Sequence, residues 1–341
     1  MPLDHFIPQV HLKRFYSCAL GDRMYAIRKS DLRAFTPNAK VVCGINDGST
    51  NAYLREHRAI EEFLKTIEPN YNAALEKLAA GKIDAECIYT IAGFVAFVIT
   101  CPPAGMRIRS GPLKSIVETT AAILEEQGAF PSPPTELGGT TLAELLSSGA
   151  VNVTIDPKYP QAIGISSILQ HAATFGNFKW EILHNGFDDC PFFTSDFPAA
   201  IENSEDPRIL NRIVPLAPDL AVRIKPDLAV ERAGADFSFA NFGYRMCAVS
   251  RAEVVRLNRL IVRCAEETIF YRDDRHWVQP FIAKNWRYRI EPYTYELATP
   301  TGKVLISTQR VVVSTATDEK VVGEAVARAR PASPLPLPEC S

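Results

Sequence analysis

The sequence predicts an α+β fold, with a helical block over about residues 53–127 packed on a mixed or antiparallel sheet and one long helix late in the chain. Three observations carry that reading. From Tyr53 onward, apolar residues recur at three- and four-residue steps through Ile60, Phe63, Leu64, Ile67, Tyr71, Ala74, Leu75 and Leu78, the spacing of one helix face. The second half holds strand-like runs, KWEILHN, PFFTSDFP and RIVPLAPDLAVRIKP, set off by turns. Residues 250–271 read as one amphipathic helix, with Val254, Leu257, Ile261, Cys264 and Thr268 on its apolar face and Ser250 and Glu253 spaced as a capping box.

The remaining elements follow in order. RMYAIRK (23–29) alternates apolar and polar positions and is expected to be a strand; a turn-rich segment follows it. Pro69 should divide the helical run, and Gly81 should stop it. An apolar helix over 83–101 and another over about 112–127 complete the block. Residues 128–140 have the proline and glycine density of a loop or subdomain boundary within one domain spanning 1–328. Residues 165–178 should be helical, AAIEN (199–203) a short helix, and 303–315 a late strand. The proline-rich end, 329–341, is expected to be a disordered tail.

Composition limits the function classes. The 341 residues are 47% hydrophobic and 22% charged, enough for a substantial core, and the net charge of -2 gives no whole-molecule attraction to nucleic acid or anionic membrane. The eight cysteines include no CxxC pair, which argues against a zinc ribbon and for free thiols in a reducing cytoplasm. No basic region followed by an apolar core opens the chain, so a secretory signal is not expected. The apolar run at 87–101 is 15 residues, short of the roughly 20 that span a bilayer, and reads as a buried core helix, with a re-entrant or membrane-surface role as the alternative.

Candidate chemistry lies in few places. His5 and His11, if extended, stand roughly 20 Å apart and cannot share one metal. A single histidine is therefore the functional form, with His5, before Pro8, better placed for a cleft than His11; the alternative is a histidine serving the fold. FFTSDFP (192–198) brings Thr194, Ser195 and Asp196 to a strand end: Asp196 could bind a cation or orient His5, and Ser195 could be a nucleophile, or both could cap a turn. Glu61 and Glu68 share a helix face but lack the Glu-x-x-His pattern of a bundle metal site. Arg256, Arg259 and Arg263, with arginines and aromatics over 271–290, offer a surface for phosphate and stacked bases, or a solvated helix face. Phosphate loops of the GxGxxG and GxxxxGK[ST] types are absent.

Taken in order, HFIPQVHLKRF resembles the HxxPxxxLxxF opening of the bacterial domain-of-unknown-function family 4238, and FFTSDFP after WEIL is similar to its TSDxP segment. IVPLAP and the late helix with a central asparagine, Asn258, agree as well, and the resemblance spans about residues 4–273. It implies an intracellular α+β protein and brings no established reaction. Its motif residues are His5, Pro8, Leu12 and Phe15, then Trp180, Thr194, Ser195, Asp196 and Pro198, then Asn258. Where such proteins tend to carry an arginine after the apolar helix, this chain has TCPPAGMRI; Arg107 and Arg109 stand near that place, and the arginine's role here is left open.

The expectation is one cleft where the N-terminal loop meets the Thr194-Ser195-Asp196 strand end. There His5, Ser195 and Asp196 would be catalytic, Asp196 would hold Mg or Mn, and Trp180, Arg256, Asn258, Arg259 and Arg263 would bind substrate. The expected activity is hydrolase or nuclease-like, on a phosphodiester or other anionic substrate. The alternative is a non-catalytic module that binds nucleic acid or protein.

Overall fold

The computed structural model describes residues 3–131, 138–206, 208–229, 234–299 and 302–314. The expected tail over 329–341 and residues 132–137 of the expected boundary lie outside these. The chain opens with β1 (Leu3–His5), α1 (Gln9–Leu12), β2 (Tyr25–Arg28), β3 (Ala34–Phe35) and β4 (Gly44–Asn46). Helical spacing takes hold at α2 (Ala59–Ile67) and α3 (Tyr71–Ala79), and Pro69 lies in the single 3-10 turn that separates them. Gly81, at φ +66°, closes α3, where Gly81 N donates to Leu78 O and Lys82 N to Lys77 O.

The helix α4 (Ala85–Thr100) is capped by Asp84, which accepts from the amide of Cys87 at 2.9 Å, and is buried almost all round among α2, α3 and α8. Pro102 and Pro103 do not end the helical region. Pro103 opens α5 (Pro103–Glu126), a position where its missing N–H costs nothing. The helix expected over 112–127 therefore begins nine residues earlier and runs through Pro112. Between α4 and α5 the chain bends by 67°, and no single helix among the described residues is long and apolar enough to cross a membrane. Gly105 permits the bend, since a Cβ there would lie 2.5 Å from the carbonyl oxygen of Ile99.

After α6 (Leu142–Ser147), α7 (Lys158–Ser166) and α8 (Ile168–Gly176) come β5 (Lys179–His184), β6 (Thr194–Ser195), β7 (Ala200–Asn203), β8 (Leu210–Ala217), β9 (Leu220–Lys225) and β10 (Gly243–Ala248). Then follow α9 (Arg251–Cys264), β11 (Thr268–Tyr271), α10 (Val278–Ala283), β12 (Tyr288–Thr299) and β13 (Gly302–Val313). A five-stranded sheet has the order β10-β5-β9-β8-β7, antiparallel except for the β10–β5 pair; a four-stranded antiparallel sheet has the order β3-β2-β11-β6. The strands β1 and β4 pair, and β12 and β13 form a long hairpin.

Two expected helices are corrected. AAIEN is not helical: its residues 200–203 pair with 210–213 of β8, so sheet pairing overrides local propensity. The late helix stops at Cys264, because the next amides, Glu266, Glu267 and Thr268, donate to the carboxylate of Asp196 at 3.0, 2.7 and 2.9 Å. Thr268–Tyr271 then becomes a central strand. Ser250 accepts from the amide of Glu253 as expected, while the Glu253 side chain turns to Arg223 and Arg256 and leaves the capping box half made.

The central strands β5, β9 and β8 of the five-stranded sheet are buried on both faces, and the two-residue alternation decides which side chain meets which layer. Trp180, Ile182, Val214, Leu216, Val222 and Ile224 pack with α4, whereas Leu183, Ile213 and Ala221 pack with α9. Along β8 the same alternation puts Leu210 and Arg212 on the α4 side, at the end of that core.

His11 ties the N-terminal segment to this frame. It is fully buried, with Nδ1 2.9 Å from the Tyr71 hydroxyl and Nε2 2.9 Å from Thr194 Oγ1, and its ring lies 4.8 Å from that of Phe94. Burial draws its pKa down to about 3. The unfolded chain takes this proton near pH 6.5 and the folded chain does not, so the unfolded state binds more protons in between and stability rises with pH there. We expect His11 to contribute a slope of up to about 1.4 kcal/mol per pH unit between about pH 4 and 6. Urea midpoints across that range should flatten by this amount in His11→Gln; a parallel profile would contradict a neutral buried imidazole.

Candidate anion-binding cavity

At the end of the core, where the sheet extends past α4, a cavity of about 350 Å³ remains. Its apolar wall includes Ile99 and Ile108 from the α4–α5 elbow, Phe175 of α8, Phe197 and Ile224. Its polar lining comes from Arg109 of α5, His171 of α8, Arg212 of β8 and the stretch Ser307, Thr308 and Gln309 of β13. Volume and mixed lining are those of a small-molecule site.

The two arginines define its electrostatics. Arg109 is half-buried; its Nη2 lies 3.3 Å from Thr100 Oγ1 and 3.4 Å from His171 Nε2, and its Nε is sealed from solvent with no hydrogen-bond partner. Gly164 on α7 makes room for it, since a Cβ there would stand 2.5 Å from Thr100 Cγ2 and 3.1 Å from Arg109 Nε. Arg212 donates to Gln309 Oε1 at 2.7 Å. Among the described residues neither arginine has a carboxylate partner. Burial draws Arg109 below its ordinary value, and burial together with the Arg109 charge draws Arg212 down to about 10, against the opposing influence of Cys264. The thiols whose charge would reach them, Cys101 and Cys264, lie outside the cavity lining and are pushed up to about 12 and about 11 by burial, so they supply no negative charge near neutrality.

His171 is neutral as well. Its Nδ1 donates to Ser167 O at 2.7 Å, and burial, with the Arg109 charge adding to it, draws its pKa down to about 4. The site thus holds two cations, a neutral imidazole and an amide, in one half-open cavity.

The residues expected to be catalytic are not in the lining of this cavity, and among the described residues no hydrogen bond joins His5 to Ser195 or Asp196. His5 sits on β1 with Nε2 3.1 Å from the Lys40 carbonyl oxygen and Nδ1 3.4 Å from Gln9 Nε2. The N-terminal segment does meet the Thr194-Ser195-Asp196 strand, but through His11 and Thr194. Ser195 Oγ accepts from the amide of Phe197 at 3.1 Å, and both Asp196 oxygens accept backbone amides. Burial and the Glu266 carboxylate push Asp196 up to about 7, opposed by those amides and by Lys29, whose ammonium is buried against the carbonyls of Ala265 and Tyr288. Asp196 is thus an anchor for the α9–β11 junction, and no group of three or more candidate metal ligands occurs among the described residues.

The expected substrate residues other than Arg259 are likewise committed. Trp180 is buried and donates to Phe175 O at 2.8 Å; Asn258 accepts from Phe193 N and donates to Pro191 O. Arg256 pairs with Glu202 and Glu253, Arg263 donates to Asn285 and covers the Tyr288 ring at 4.2 Å, and Arg259 is exposed. Of the two arginines after the apolar helix, Arg107 is paired with Glu266 and Glu291, while Arg109 enters the cavity. Sequence reasoning did not find Arg212 or His171. Arg212 opens the IVPLAP stretch, and its place on an otherwise apolar strand face was the available signal.

Fold and cavity together define an α+β protein with a half-open cationic pocket. The chain belongs to the family described as protein of unknown function (DUF4238), whose family model matches residues 4–275. No curated protein and no solved structure matches it. The matched span contains Arg109, His171 and Arg212, while β13, which completes the cavity, lies beyond it.

The account of Asp196 has a direct check. Asp196→Ala should lose about 2–4 kcal/mol of stability, because three part-buried amides lose their acceptor. Urea unfolding measures it; a stability equal to or above wild type would mark Asp196 as a functional group held at a cost to the fold.

Proposed function

We propose that the protein binds a small organic anion in this cavity. One observation carries the reading: two half-buried guanidinium groups, Arg109 and Arg212, line one cavity without a carboxylate partner among the described residues. An uncompensated buried cation costs several kcal/mol, and the paired Arg107 and Arg223 illustrate how this fold otherwise meets that cost. A bound anion would supply the missing charge, and the aliphatic and aromatic wall would take an apolar body.

The reading favours binding over turnover. His171 could accept a proton at Nε2, but with its pKa near 4 it is a weak base. It also favours a small ligand over a polynucleotide, given the cavity size and the ion pairs that occupy Arg256. A cytoplasmic location is part of the proposal, supported by the free thiols of all the described cysteines.

Thermal unfolding of the purified protein with phenyl phosphate, benzoate and uncharged benzyl alcohol tests this. The anions should raise the melting temperature, by about 2.7 kcal/mol of stabilisation at a hundred times Kd, and benzyl alcohol should not. Arg109→Gln and Arg212→Gln should abolish the response while leaving ligand-free stability equal or higher. Equal responses to charged and uncharged compounds, or an undiminished response in both variants, would refute the assignment.

A further inference from the structure

Resting on the reading of the cavity as an organic-anion site, we infer that the head group it takes is a dianion, the terminal phosphate of a phosphate monoester. The charge count leads there. Arg109 and Arg212 contribute two positive charges, the lining side chain His171 is neutral near pH 7, and the lining includes no carboxylate among the described residues. One carboxylate would leave a cation uncompensated in a low-dielectric wall, whereas a doubly charged phosphate balances both.

The hydrogen-bonding inventory leads to the same group. Gln309 spends its carbonyl oxygen on Arg212, which leaves the Gln309 amide N–H groups as donors. Guanidinium forks and an amide donor match a group that is all acceptors with several equivalent oxygens, and arginine forks fit phosphate geometry in particular. The apolar wall of Ile99, Ile108, Phe175 and Phe197 then favours an organic ester over inorganic phosphate. Gln309 belongs to the hairpin outside the family-matched span, so the head-group contact is shared between the common frame and an element particular to this part of the chain.

Isothermal titration of the full chain at pH 8 and pH 5 compares phenyl phosphate, its methyl diester, benzoate and inorganic phosphate. At pH 8 phenyl phosphate should bind at least about tenfold more tightly than the diester and benzoate, and more tightly than inorganic phosphate. At pH 5, below the second phosphate pKa of about 6, the advantage over the diester should vanish. In Gln309→Glu an internal carboxylate beside Arg212 supplies one of the two missing charges, so the preference for monoester over diester at pH 8 should collapse. Binding of diester and benzoate as tight as that of monoester, dependent on both arginines, would overturn the dianion assignment and leave the organic-anion reading standing. Preference for inorganic phosphate, or a preference unchanged in Gln309→Glu, would also overturn it. Absence of binding by every anion would overturn both.

Discussion

Two guanidinium groups facing one cavity without a counter-charge among the described residues set a constraint that the surrounding structure is arranged to sustain. Several other recessed cations are paired with carboxylates or held by carbonyls. Arg223 meets Glu181, Glu202 and Glu253, Arg107 meets Glu266 and Glu291, and Lys29 is held by two carbonyls near Asp196. At the cavity the hydrogen-bond partners of Arg109 and Arg212 are a hydroxyl, a neutral imidazole, a carbonyl and an amide. Keeping these two cations close together and desolvated opposes folding, and the compensation lies in the extensive burial on both faces of the central strands of the five-stranded sheet.

The motif residues near the N-terminus and in FFTSDFP serve that arrangement from a distance. His11 binds Thr194 to α3 through Tyr71, and Asp196 gathers three amides at the α9–β11 junction. With both ends of the segment fixed, Phe197 forms part of the cavity wall. Arg107, two residues before Arg109, ties α5 to β12 through Glu291, and the β12–β13 hairpin in turn presents Gln309. Site and scaffold are linked through short stretches in which one residue anchors and a neighbour faces the ligand space.

Much of the frame was legible in the sequence because periodicity reports burial directly. The strands β2, β5, β8 and β9 and the helices α2 to α4 follow from spacing, proline and glycine. The junctions were not legible, since they depend on distant partners. The end of α9 is set by Asp196, about seventy residues earlier, and AAIEN is a strand because β8 lies beside it. The same reason hid the site. His5 and Asp196 look chemical in isolation, yet their hydrogen bonds go to the backbone or to Gln9, whereas Arg109, His171 and Arg212 are unremarkable until three separate elements bring them to one cavity. Position after the apolar helix did single out Arg107 and Arg109, and only the carboxylates of Glu266 and Glu291 decide between them.

The central claim concerns where an anion sits, so the most direct measurement locates one. Crystals soaked in tungstate, a tetrahedral dianion with a strong anomalous signal, should give an anomalous peak in the cavity within hydrogen-bonding reach of both Arg109 and Arg212. A peak confined to other sites, with either guanidinium found against a carboxylate, would contradict the account.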